Sequence, residues 1–237
     1  MKPVKLCTAL AAALLLALPM VSFAQEAAAE EEESPISWSL TATSDYVFRG
    51  VSQSDEDPTG QAGITYTAPF GVYAGVWASG VDFGSKKPDF EVDYFVGYNV
   101  DFSEQVNFDV MLNRYTYPDA AGGNYLELIT KTTFFDNYSA TVAYTDDFYG
   151  LEEDSFYYAL GASYDLPNDY GLSFNVGHTT ISEKLGYDDY TDYGITLSKS
   201  WGVVSASLGY VGTDSHGEVN FGDWAEDRIV FSLSVGQ

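Results

Sequence analysis

Along most of this chain apolar and polar residues alternate with a period of two, the spacing that sends successive side chains to opposite faces of a strand. Residues 90–100 are the clearest case. Phe90, Val92, Tyr94, Val96, Tyr98 and Val100 share one face, while Glu91, Asp93, Phe95, Gly97 and Asn99 share the other. The same division gives apolar faces at Val106, Phe108, Val110 and Leu112, at Tyr138, Ala140, Val142 and Tyr144, and at Ile229, Phe231, Leu233 and Val235. Residues 72–81 do not declare which face is apolar. Counted this way, the chain predicts about twelve strands, starting near residues 36, 60, 72, 89, 106, 124, 138, 155, 170, 190, 203 and 228.

The connections alternate in length. Tight turns fall at residues 69–71, 101–105, 135–137, 167–169 and 201–202, and longer acidic or glycine-bearing loops at 51–59, 118–123, 146–154, 182–189 and 214–225. An all-β, transmembrane, antiparallel up-and-down barrel has this plan, with short turns at one rim and long loops at the other. A soluble β-sandwich is the rival, but nothing in it requires connections to sort by length. Many apolar faces also begin or end in Tyr, Phe or Trp, as an interfacial girdle requires.

The N-terminus reads as a secretory signal peptide, residues 1–24. Lys2 and Lys5 precede an apolar run over residues 6–18, Pro19 breaks it, and Ser22-Phe23-Ala24 supplies a small-x-small cleavage site. Residues 25–35, with four consecutive glutamates, read as an acidic solvated leader, and residues 36–237 as the barrel domain.

Charge then narrows the function. The chain carries 10 Lys and Arg against 35 Asp and Glu, a net charge of −25. Removing residues 1–24 takes two lysines and no acid, leaving 8 against 35, or −27. Phosphate recognition needs a basic face, so nucleic acid is excluded as a partner. The one Cys, Cys7, falls in the signal, so neither disulfides nor thiolate metal sites are expected, and no cofactor motif is present. Catalysis would have to use His178 beside Thr179 and Thr180, or His216 between Ser215 and Gly217. Neither lies in a hydrolase or zinc signature, and an enzyme is not expected.

Residues 44–53, Ser-Asp-Tyr-Val-Phe-Arg-Gly-Val-Ser-Gln, resemble the opening signature of the TorF-type porins, the Gcw_chp family of proteobacterial envelope proteins. Residues 73–79, Tyr-Ala-Gly-Val-Trp-Ala-Ser, resemble its second signature, and Glu91-Val92-Asp93-Tyr94 with Gly97-Tyr98 its third. Gly80 stands where that pattern has Asn. The resemblance implies an outer-membrane location and a pore-like role, with no established substrate or catalytic residue to carry over. Its partners would be membrane lipid and lipopolysaccharide, small solutes or ions, and a second copy of the chain in a homo-oligomer.

Strand parity then selects pore-lining candidates. With the turn after residue 100 centred on Ser103, Asp93 opposes Asn113 and Glu91 opposes Tyr115. With the next loop centred on Ala120, Asn113 opposes Glu127 and Asp109 opposes Lys131. The expectation is an acidic wall of Glu91, Asp93 and Glu127, with Asp109 and Lys131 paired lower down. Asp45 and Arg49 on the first strand and Arg228 on the last would face it across the lumen, or pair with one another and pin the seam. Twelve strands lie between the filled interior of eight and the aqueous channel of sixteen, so a narrow cation-preferring channel is expected. The alternative is a closed-lumen structural or surface-interaction barrel. The acidic outer loops match no calcium-loop spacing.

Overall fold

The computed structural model describes residues 34–84 and 87–237. The expected signal peptide, and the expected leader up to residue 33, lie outside the described residues. The chain order is β1 (Ile36–Thr43), β2 (Val47–Phe48), β3 (Val51–Ser52), β4 (Thr59–Thr67), β5 (Val72–Gly80), β6 (Phe90–Ser103), β7 (Val106–Thr116), β8 (Tyr125–Phe134), β9 (Tyr138–Thr145), β10 (Ser155–Leu166), β11 (Tyr170–Ile181), β12 (Tyr190–Trp201), β13 (Val204–Thr213), α1 (Ser215–Phe221) and β14 (Arg228–Gly236). Twelve strands close into one antiparallel barrel when β1 pairs with both β4 and β14. Strands β2 and β3 form a separate two-stranded hairpin. Closure leaves no barrel strand with an unpaired edge, which the interior of a bilayer requires.

The twelve barrel strands start within one residue of the expected positions. Short turns occupy the rim that holds the end of the chain, where Trp38 and Gln237 exchange backbone hydrogen bonds. Exposed aromatics crowd the outside of this rim: Trp38, Tyr66, Phe70, Phe102, Phe135, Tyr138, Tyr170 and Trp201. Leu197, Leu208 and Phe231 lie side by side on the outer surface and are exposed. Leu208→Arg is therefore expected to destabilise the barrel in lipid by about 2–4 kcal/mol, measured by denaturant unfolding in vesicles. Ser207→Ala, on the opposite face of the same strand, should cost far less.

Two expectations need correction. Asp93 stands opposite Tyr115, and Phe95 opposite Asn113. The reversal lies between Glu104 and Gln105 rather than at Ser103, and a bulge at Asp101–Ser103 takes up the irregularity. The slip is by two residues, so it moves partners along the wall while leaving each side chain on its face. The second correction concerns the seam. β1 ends at Thr43, so Asp45 and Arg49 do not lie on the first strand. Residues 44–58 turn into the barrel instead.

The ambiguous strand β5 resolves with its large aromatics inside. Tyr73 and Trp77 are buried, while Ala74 faces outward. Tyr73 lies over Gly97 of β6, where any Cβ would run into its ring. Glycine therefore makes room for an inward-turned tyrosine, which donates to Asp109 at 2.8 Å. Arg114 points outward near the end of β7 and is exposed, a position suited to a long side chain whose charged head extends toward an aqueous interface.

Candidate pore and its constriction

Residues 44–58 cross the barrel from the β1–β14 seam. Asp45 anchors the crossing. Its Oδ2 accepts from Arg228 Nη1 at 2.8 Å, and its Oδ1 from the hydroxyls of Ser52 and Ser54 at 2.7 and 3.0 Å. Ser54 Oγ in turn accepts from the Tyr46 backbone N–H at 2.9 Å. The β2–β3 hairpin is thus held by its own polar side chains, as short Asp and Ser residues do in turns.

From that anchor the segment lays its side chains against strand after strand. The Tyr46 ring meets Trp77 of β5 edge-on at 5.3 Å, and its hydroxyl donates to Glu91 of β6 at 3.3 Å. Phe48 meets Tyr115 of β7 at 6.0 Å. Arg49 reaches β8, where Nη2 lies 2.9 Å from each oxygen of Glu127. Its guanidinium also sits 4.2 Å above the Tyr157 ring of β10 and 4.6 Å above Phe48. Gly50 then packs against Asp192 of β12 and against Gly212 and Thr213 of β13.

The Arg49–Glu127 pair is desolvated on both sides, its side chains 7% and 2% exposed. Water screens such a pair little, and the Tyr115 hydroxyl adds a third hydrogen bond to Glu127 at 3.0 Å. Arg49 therefore does not stand on a basic wall facing an acidic one. It spans the lumen and neutralises the acid opposite. Asp45 and Arg228 do pair at the seam.

Below the constriction the wall is polar. Asp109 opposes Lys131 in register and accepts from Tyr73 and from Asn99. Asn113 opposes Glu127 and donates to Asp93 Oδ2 at 3.0 Å. Asn99 and Asn107 exchange amide hydrogen bonds at 3.0 and 2.8 Å. The facing wall, from β12 through β14 to β1, presents hydroxyls: Thr196, Ser198, Ser205, Ser207, Ser232, Ser234 and Thr41.

At the long-loop rim, His178 faces outward against the Thr191 hydroxyl, and His216 in α1 meets the Asp189 carbonyl. The Asp214 carboxylate caps α1 by accepting from the His216 and Gly217 N–H groups. Among the loops, hydrogen bonds from Ser182 and Lys184 hold the Glu153 carboxyl below its ordinary range. Donation by Tyr193 and Tyr210 does the same for Asp227. Trp224 Nε1 donates to Asp55 at 2.7 Å.

Several residues of the constriction were not among the pore-lining candidates drawn from strand parity: Tyr46, Phe48, Trp77, Tyr157 and Asp192, the first three appearing only within the family signatures. Asp192 was within reach of parity, since Tyr193, Ile195 and Leu197 mark the opposite face of β12. The others are aromatic side chains turned inward, against the expectation that aromatics face lipid.

Residues 27–235 match the family described as "Bacterial protein of unknown function (Gcw_chp)". No curated protein matches the sequence. Among solved structures, the chain resembles the KdgM porin with a TM-score of 0.56 at 8% identity, covering 84% of this chain and 97% of that one. It resembles the NanC porin with a TM-score of 0.56 at 10% identity, covering 84% and 98%. At these identities the likeness is one of fold. A sequence match over nearly the whole described barrel, on a fold shared with solved porins, establishes that the chain belongs to the Gcw_chp family.

Proposed function

We propose that the chain is an outer-membrane channel of the TorF type, passing small cations and small neutral solutes through a lumen that residues 44–58 constrict. The observation that carries this reading is the division of the barrel wall. Apolar residues face outward along every barrel strand, while the inner wall carries Glu91, Asp93, Asp109 and Glu127 on one side, in excess over Lys131 and the inserted Arg49, and hydroxyls on the other. Such a wall favours cations electrostatically and offers hydroxyl partners to polar solutes. Porin neighbours in fold agree with a channel. Lipid, lipopolysaccharide and a second copy of the chain are its proposed membrane partners.

The test is conductance of the purified barrel in planar bilayers under a salt gradient. A reversal potential displaced toward the cation equilibrium is expected, and Asp109→Asn should move it toward zero without abolishing current. An unselective or anion-selective current would overturn the cation preference.

A second reading is a closed-lumen surface scaffold. It is favoured by the aromatic cluster of Tyr46, Phe48, Trp77, Tyr115, Tyr125 and Tyr157 that fills the barrel around Arg49. That reading expects no current from the wild-type barrel, and none after the Arg49 contact is broken.

A further inference from the structure

The acids buried in the upper barrel are not equally compensated. Glu127 has Arg49 and Asp45 has Arg228. Glu91 and Asp93 lie two residues apart on the inward face of β6, each only 2% exposed. Among the described residues no salt bridge joins either to a basic group. Two adjacent carboxylates taken out of water repel each other strongly unless something positive lies between them.

The hydrogen bonding points to what that is. Asp93 Oδ1 is buried and has no partner, and so is Asn113 Oδ1. The Asn113 amide is fixed by donating from Nδ2 to Asp93 Oδ2, so its Oδ1, on the other arm of the same amide, is held in place without a donor. A proton shared by the two carboxyls would leave that amide oxygen unsatisfied. A cation would satisfy it together with Asp93 Oδ1. One strand pair further round the wall, Gln61 lies opposite Ser79, which lies opposite Glu91, and the buried Gln61 Oε1 is also without a partner.

We propose that Glu91, Asp93 and Asn113 form a luminal binding site for a divalent cation of the calcium class. Two carboxylates supply the matching charge, and the donors are oxygens only, as a hard cation prefers. Among the described residues no group of three or more His, Cys, Asp or Glu side chains is placed to hold a metal. This site differs in completing two carboxylates with neutral amide oxygen. It deepens the reading of the barrel as a cation-preferring channel and rests on that reading for the ion's route inward.

The test uses the full barrel folded in detergent, stripped of divalent ions and titrated with terbium while tryptophan is excited. Trp77 lies directly opposite Asp93 across the β5–β6 pair, close enough to sensitise an ion held there. Saturable emission displaced by calcium is expected. Its affinity should fall at least about tenfold in Asp93→Asn and in Asn113→Ala, with folding of each checked by circular dichroism. Emission should be lost in Trp77→Phe and kept in Trp224→Phe, because Trp224 stands among the outer loops beside Asp55. No saturable emission, emission that survives both ligand variants, or emission that depends on Trp224 would each overturn the site. Planar-bilayer current on the same preparation separates the two claims. Terbium binding without current overturns the channel and leaves the site, whereas current without binding does the reverse.

Discussion

Arg49→Ala is expected to destabilise the folded barrel by about 3–5 kcal/mol and, where the barrel still folds, to raise its conductance. The cost comes less from the lost attraction than from what remains. Glu127 is 2% exposed and would keep only the Tyr115 hydroxyl, leaving a carboxylate buried without a counter-charge. The vacated guanidinium also stripped no small volume from the lumen, since it lay over two aromatic rings and bridged to the far wall. Water entering that space would partly rehydrate Glu127, and the same water would form part of a path. Glu127→Gln should cost less than Arg49→Ala, because the amide keeps an acceptor for Arg49. Arg49→Leu combined with Glu127→Leu should recover most of the stability by removing both charges. Denaturant unfolding in vesicles reads the first quantity, and single-channel current before and after substitution reads the second. Equal stability of Arg49→Ala and wild type would mean that the pair holds nothing. No current from either would favour the scaffold over the channel.

How much of this was legible in the sequence depended on whether a residue's place was set by its strand or by the other side of the barrel. Strand β6 was legible because one face from Phe90 to Val100 is apolar at every position, with only Phe95 interrupting the polar face, and a period of two fixes the face of every side chain. Partners across strands were less so. The β7–β8 pairing of Asn113 with Glu127 follows from counting round the loop, but the β6–β7 pairing differs because the chain reverses between Glu104 and Gln105, and a bulge at Asp101–Ser103, which no turn residue announces, sets the final register. Residues 44–58 escaped the pattern entirely. Nothing in the order Tyr46, Phe48, Arg49 repeats, because each is placed by a different strand on the far wall. Trp77 shows the same limit within a strand: its inward position is set by Tyr46 and Asp93, not by its own hydrophobicity.

Gly50 supplies the second large effect, by a route that leaves every charge in place. Its φ is +79°, in the left-handed region, and a Cβ there would lie 2.6 Å from Thr213 Cγ2, 2.8 Å from the Gly212 carbonyl oxygen and 2.9 Å from Asp192 Cβ. Arg49 before it is also left-handed, with φ at +49°, so two consecutive residues make the turn that aims the guanidinium at Glu127. Gly50→Ala therefore adds a backbone penalty to an overlap with a carbonyl that belongs to a paired strand and cannot retreat, on the order of 2–5 kcal/mol together. The barrel strands do not depend on this residue, so the expected consequence is an unseated segment within an intact barrel. Arg49 would then be released from a position where its side chain is 7% exposed. Limited trypsin digestion with mass spectrometry should show new cleavage after Arg49, together with larger and noisier single-channel currents. Adding Thr213→Ser removes the closest contact, Cγ2, while keeping the hydroxyl that donates to the Ala225 carbonyl. That double variant should recover part of the protection, because the Gly212 carbonyl still stands in the way. Unchanged protection of Arg49 in Gly50→Ala would mean that the segment is held by contacts other than its turn.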